Sequence, residues 1–144
     1  MKKDELDNLV KKGTLRIRES DIQRVRSIIA VAEKNANFTK TLSITERSSN
    51  LIFREIYESI RQLGDAKWWL MGYEPRTHDI SLDILKEMEI KEKIKLNSLE
   101  RLKKIRHDLN YRGISTTLEQ TREIIEFWNK CGEEIIKILK KEIK

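Results

Sequence analysis

Leu96-Asn97-Ser98-Leu99-Glu100-Arg101-Leu102-Lys103-Lys104-Ile105-Arg106-His107-Asp108-Leu109-Asn110-Tyr111-Arg112-Gly113 is the stretch that decides the fold. Leu96, Leu99, Leu102, Ile105 and Leu109 recur three or four residues apart, the period of a helix with one apolar side. Gly113 follows as a stop. Residues four apart are neighbours on a helix. Arg106 therefore stands next to Asn110, His107 next to Tyr111, and Asp108 next to both Lys104 and Arg112. One side of this segment needs other helices to bury it. The other side carries cations, an imidazole and a phenol. An imidazole moves protons near neutral pH, and a guanidinium stabilises charge on phosphate. The same residues also make an ordinary solvated face, and spacing alone does not separate the two.

Working outward, the rest of the chain repeats the helical period. Leu6, Leu9 and Val10 mark a short helix over Asp4 to Lys12, closed by Gly13, and Thr14 to Glu19 reads as extended. Ser20 is a candidate N-cap for a helix carrying Ile22, Val25, Ile28, Ile29 and Ala32. Ser43-Ile44-Thr45-Glu46 fits a capping box. It should open a long helix with a stripe of Leu51, Ile52, Ile56, Ile60 and Leu63, running through Trp68 and Trp69, with Gly64 a local weak point. Gly72-Tyr73-Glu74-Pro75 is the clearest break. Thr77 can cap a shorter helix with Ile80, Ile84, Leu85 and Met88. Thr116-Thr117-Leu118-Glu119 offers a second capping box before a last helix with Leu118, Ile125, Trp128, Ile135 and Leu139. The expectation is an all-α, up-down bundle of four to five helices. It forms one domain over residues 1–144, with 1–19 as an N-terminal lead-in.

Composition agrees. The 144 residues include one proline and five glycines and are 38% hydrophobic and 38% charged. A net charge of +6 and a pI near 9.4 admit a polyanionic partner, and equally a solubilising Lys/Glu surface. Cys131 is the only cysteine, which points to a packing role and a reducing compartment. No apolar run approaches a membrane span and no secretory signal opens the chain, so a cytoplasmic location without membrane attachment is expected. There is no Gly-rich phosphate loop, no zinc-type Cys/His spacing and no Gly-x-Ser-x-Gly turn. No metal site and no cofactor are expected.

Three features resemble the HEPN domain (higher eukaryote and prokaryote nucleotide-binding). Tyr57 to Leu85 resembles the family's middle section, a long helix ending at Leu70-Met71-Gly72-Tyr73 with Thr77-His78 opening the next. Arg106 to Gly113 resembles its late-helix motif. Leu9-Val10-Lys11-Lys12-Gly13-Thr14-Leu15 is similar to a lead-in of archaeal members. The resemblance implies a helical bundle that forms a homodimer. In many members an Arg and a His, with four to six residues between them, meet across the dimer cleft and cut RNA without metal. It also implies a toxin–antitoxin or defence setting, with a nucleotidyltransferase-type antitoxin as partner.

Two alignments stay open. Read from Arg106, His107 takes the polar position and Tyr111 falls where the histidine is expected, which suits the Tyr-Arg-Gly ending. Read from Arg101, His107 follows after five intervening residues. The catalytic candidates are Arg106, His107 and Tyr111. The nucleic-acid-binding candidates are Arg101, Lys103, Lys104, Asn110 and Arg112. Three functions compete: a dimeric module binding RNA or a nucleotide, a metal-independent RNA endonuclease, and a structural protein whose arginines only hold an interface. Glu55 and Glu58 are candidate ion-pair partners for the arginines. Of Trp68 and Trp69, one should be core and the other boundary. His78 should begin a helix, and Lys137, Lys140, Lys141 and Lys144 form a basic tail.

Overall fold

In the computed structural model, which describes residues 1–143, the chain begins with α1 (Lys3–Lys11), β1 (Leu15–Ile17), α2 (Ile22–Thr39) and α3 (Ser49–Leu70). It continues through β2 (Tyr73–Pro75), α4 (His78–Leu85), a 3-10 stretch (Lys93–Ser98) and α5 (Leu99–Tyr111). It ends with α6 (Leu118–Phe127), a π-helical stretch (Trp128–Gly132) and α7 (Glu133–Ile143). The last three follow without a gap as one long helix. The fold is thus the all-α bundle that the periodicity predicts, with α2, α3, α5 and α6–α7 as its long members. β1 and β2 pair antiparallel, Leu15 opposite Pro75 and Ile17 opposite Tyr73. The extended lead-in and the Gly72–Pro75 break are therefore two halves of one small sheet. Lys144 of the basic tail lies outside the described residues.

α3 is the axis. Ile52, Phe53, Ile56, Ile60 and Leu63 are fully buried on it. They meet Val25, Ile29, Ala32 and Ala36 of α2, Leu99 and Leu102 of α5, and Trp128, Ile135 and Leu139 of the C-terminal helix. Leu51, expected in the stripe, is half exposed. It precedes Ile52 by one residue, about 100° around the helix, and so falls off the stripe. Gly64 is the reverse of a weak point. A Cβ there would lie 2.0 Å from the Ser81 carbonyl oxygen, so its absence lets α4 press backbone-close against α3. A second cluster of Leu6, Leu15, Trp68, Ile80 and Ile84, flanked by Leu9 and Val10, fastens the lead-in to the bundle. Trp68 is fully buried, and its Nε1 donates to the Ile80 carbonyl at 2.9 Å. Trp69, expected at the boundary if Trp68 is core, is buried as well: it packs in the main core, with the Arg24 guanidinium 4.2 Å from the centre of its ring.

Thr77 holds the N-cap position of α4, as expected, though without a side-chain cap bond, while three other helix starts differ from the sequence expectations by a residue or more. α2 is capped by Asp21, whose Oδ1 accepts from the Arg24 amide at 3.1 Å, rather than by Ser20. The box at Ser43–Glu46 does not form. Ser48 donates instead to the Ser43 carbonyl at 2.7 Å and accepts from the Thr45 amide at 2.9 Å. Those bonds fold residues 45–48 into a turn, and α3 begins at Ser49. The later capping box is real but sits one residue on, at Thr117 and Gln120. Thr116 is drawn away into a buried hydroxyl group with Ser49, 2.9 Å away, and Thr121.

Candidate nucleic-acid interface

Leu99, Leu102 and Leu109 pin α5 to the core. Gly113, at φ +66°, then turns the chain, and the Ile114 amide donates to the Asp108 carbonyl at 3.2 Å. With that side buried, each step of about 100° fixes where the polar residues point. Arg106 falls on the edge of the buried side. His107 comes one step outward and is exposed, and Asp108, one step further round, returns to the opposite edge of the buried side.

Arg106 is half-buried against α3, its guanidinium carbon 5.5 Å from the centre of the Tyr57 ring. Its Nε–H is buried and meets no acceptor among the described residues. The carboxylates around it are engaged elsewhere. Glu58, expected to pair with this cluster, is taken by Arg61, which also holds Asp65 at 2.8 Å. Asp108 pairs with Arg112 at 3.6 Å. Glu55 forms no ion pair among the described residues. Burial pushes the Tyr57 phenol up to about 12, against the pull of Arg106. The hydrogen bond from Arg61 holds the Glu58 carboxyl below its usual range, with His78 and Arg106 adding to the effect. Burial pushes the Asp65 carboxyl up, although Ser81 and Arg61 both donate to it.

On the outward side, the His107 and Tyr111 rings lie 4.9 Å apart, inclined at 45°. The Tyr111 phenol is 74% exposed. Arg101, Lys103, Lys104 and His107 line one open cleft of about 660 Å³ together with Glu100 and, from the first turn of α4, Asp79. Arg101 pairs with Glu123 across to α6. Lys103 lies 3.5 Å from Glu100 and 3.9 Å from Asp79. Glu100 is also held by Lys86. Lys104 is exposed and has no ion pair among the described residues.

The fold therefore sorts the eight candidates. Arg101, Lys103, Lys104 and His107 share the cleft, and Tyr111 extends it. Arg106 and Asn110 turn toward α3, where Asn110 accepts from Arg54 Nε at 3.2 Å. Arg112 goes to the far side with Asp108. Sequence reasoning missed Asp79, Glu100, Tyr57 and Arg54. The first two are acids that a search for cations passes over. The last two reach α5 only through tertiary packing. No group of three or more His, Cys, Asp or Glu among the described residues is arranged to hold a metal ion. No helix among them is long and apolar enough to cross a membrane. Comparison with protein-family models, with curated proteins and with solved structures finds no match to this chain.

Proposed function

We propose that the chain is a HEPN-like homodimer that binds single-stranded RNA across the outer side of α5. The observation that carries this reading is the cleft in which α5 gathers Arg101, Lys103, Lys104 and His107. Lys104 is exposed and has no ion pair among the described residues, so it is free to take a phosphate. Lys103 and Arg101 add further phosphate contacts. The exposed Tyr111 against His107 adds an aromatic platform on which a base can stack. Within one subunit Arg106 and His107 leave α5 in different directions, so the geometry favours binding over cleavage.

The second subunit is assigned to the neighbouring surface. Asn50 and Arg54 of α3 hydrogen-bond to Thr116 and Asn110. The segments joined by that seam expose Leu51 and Ile114. Apolar residues grouped this way mark a contact surface.

The test is fluorescence anisotropy of a short labelled RNA in magnesium-free buffer over a series of salt concentrations. The expected result is affinity that falls steeply with salt, together with a loss of about threefold or more for Lys104→Ala. RNA affinity indifferent to salt and to Lys104→Ala would remove the proposal.

A further inference from the structure

Resting on that reading, the cleft contains one feature that a phosphate-binding surface does not need. Two carboxylates, Asp79 and Glu100, stand among its cations. Each repels a polyanion, so each requires its own account. Glu100 has one: Lys86 and Lys103 both hold it. Asp79 is held only at long range: Lys103 pairs with it at 3.9 Å, beyond hydrogen-bonding distance, and its side chain is 72% exposed, which leaves its lone pairs free. Its position in the first turn of α4 lets it favour the helix dipole, but that role does not require it to face the cleft.

A carboxylate with free lone pairs beside phosphate-binding cations is the arrangement that accepts hydrogen bonds from sugar hydroxyls. The 2'-hydroxyl is the donor that distinguishes RNA from DNA, and acidic side chains elsewhere read ribose in the same way. We infer that Asp79 is the specificity-determining residue of the cleft: it accepts a hydrogen bond from a ribose 2'-hydroxyl and repels a strand that lacks one. The repulsion acts on every nucleic acid, while the hydrogen bond compensates only for RNA. The selectivity therefore comes from a weakened competitor as much as from a strengthened ligand.

The experiment compares a short labelled RNA with the DNA of the same sequence, by anisotropy at one fixed salt concentration. It uses the intact protein and its Asp79→Ala and Asp79→Asn variants. The expected result is an RNA preference of about fivefold or more in the unaltered protein. Asp79→Ala should nearly abolish it by moving the two affinities in opposite directions, with DNA binding tighter and RNA weaker. Asp79→Asn keeps an acceptor without charge and should give an intermediate ratio. A purely helix-stabilising role would move both ligands together, so the ratio is read within each variant and any loss of stability cancels. An unaltered protein without RNA preference, or a preference that survives Asp79→Ala, overturns the inference and leaves RNA binding standing. Failure of the RNA to bind the unaltered protein overturns the RNA-binding reading itself.

Discussion

Gly64 marks where α3 and α4 touch main chain to main chain. A methyl group there would meet the Ser81 carbonyl oxygen at 2.0 Å, an atom that cannot swing aside. Gly64→Ala should cost about 3 kcal/mol by urea denaturation. Gly113→Ala, where the added methyl meets open space but φ is +66°, should cost about 1 kcal/mol. A Gly64→Ala protein as stable as its parent would contradict the contact. The carboxylates on Arg61 make a second residue-scale prediction, because they carry opposite signs. Glu58 titrates below its ordinary 4.5, so it contributes stability above that pH that is lost as pH falls through the lowered value. Asp65 titrates above its ordinary 3.8, so its contribution is present at lower pH and is lost as pH rises through the raised value. Glu58→Gln should therefore flatten the acid limb of a stability-against-pH curve, and an unchanged acid limb would count against the Arg61–Glu58 pair.

At the scale of elements, the caps separate what a sequence pattern can tell from what it cannot. Asp21→Ala and Thr117→Ala should each cost about 1 kcal/mol, whereas Ser20→Ala should cost a few tenths at most, as measured by shifts in thermal midpoint. Equal losses at Ser20 and Asp21 would restore the sequence-based cap. The helices themselves are legible because a buried stripe repeats over many residues, and one misplaced Leu51 does not hide it. Helix starts are less legible, since neighbouring Ser, Thr and Asp residues offer equivalent oxygens. The choice between Thr116 and Thr117 is settled by the distant Ser49, to which Thr116 turns. The same logic applies to the interface. The clustering of Lys103, Lys104 and His107 follows from helical spacing alone. The contribution of Asp79 depends on how α4 is laid against α5, and the placement of Arg106 over Tyr57 depends on α3, neither of which a local pattern encodes.

For the whole molecule, the proposed function assigns two surfaces: the cationic cleft to RNA and the seam around Leu51 and Ile114 to a second copy. They are built from different residues, so assembly and binding should be separable by substitution. Ile114→Glu should yield a monomer by sedimentation velocity with unchanged helical circular dichroism, because Ile114 is half exposed and outside the core. A protein that sediments identically before and after would place the contact elsewhere. The central claim is that RNA lies on the outer side of α5. Ultraviolet crosslinking of a short RNA to the intact protein, with the modified peptides sequenced by mass spectrometry, tests it most directly. The account predicts crosslinks in the segment from Arg101 to Arg112, centred on Tyr111. Crosslinks confined to the opposite groove, around Arg26 and Lys140, would contradict it.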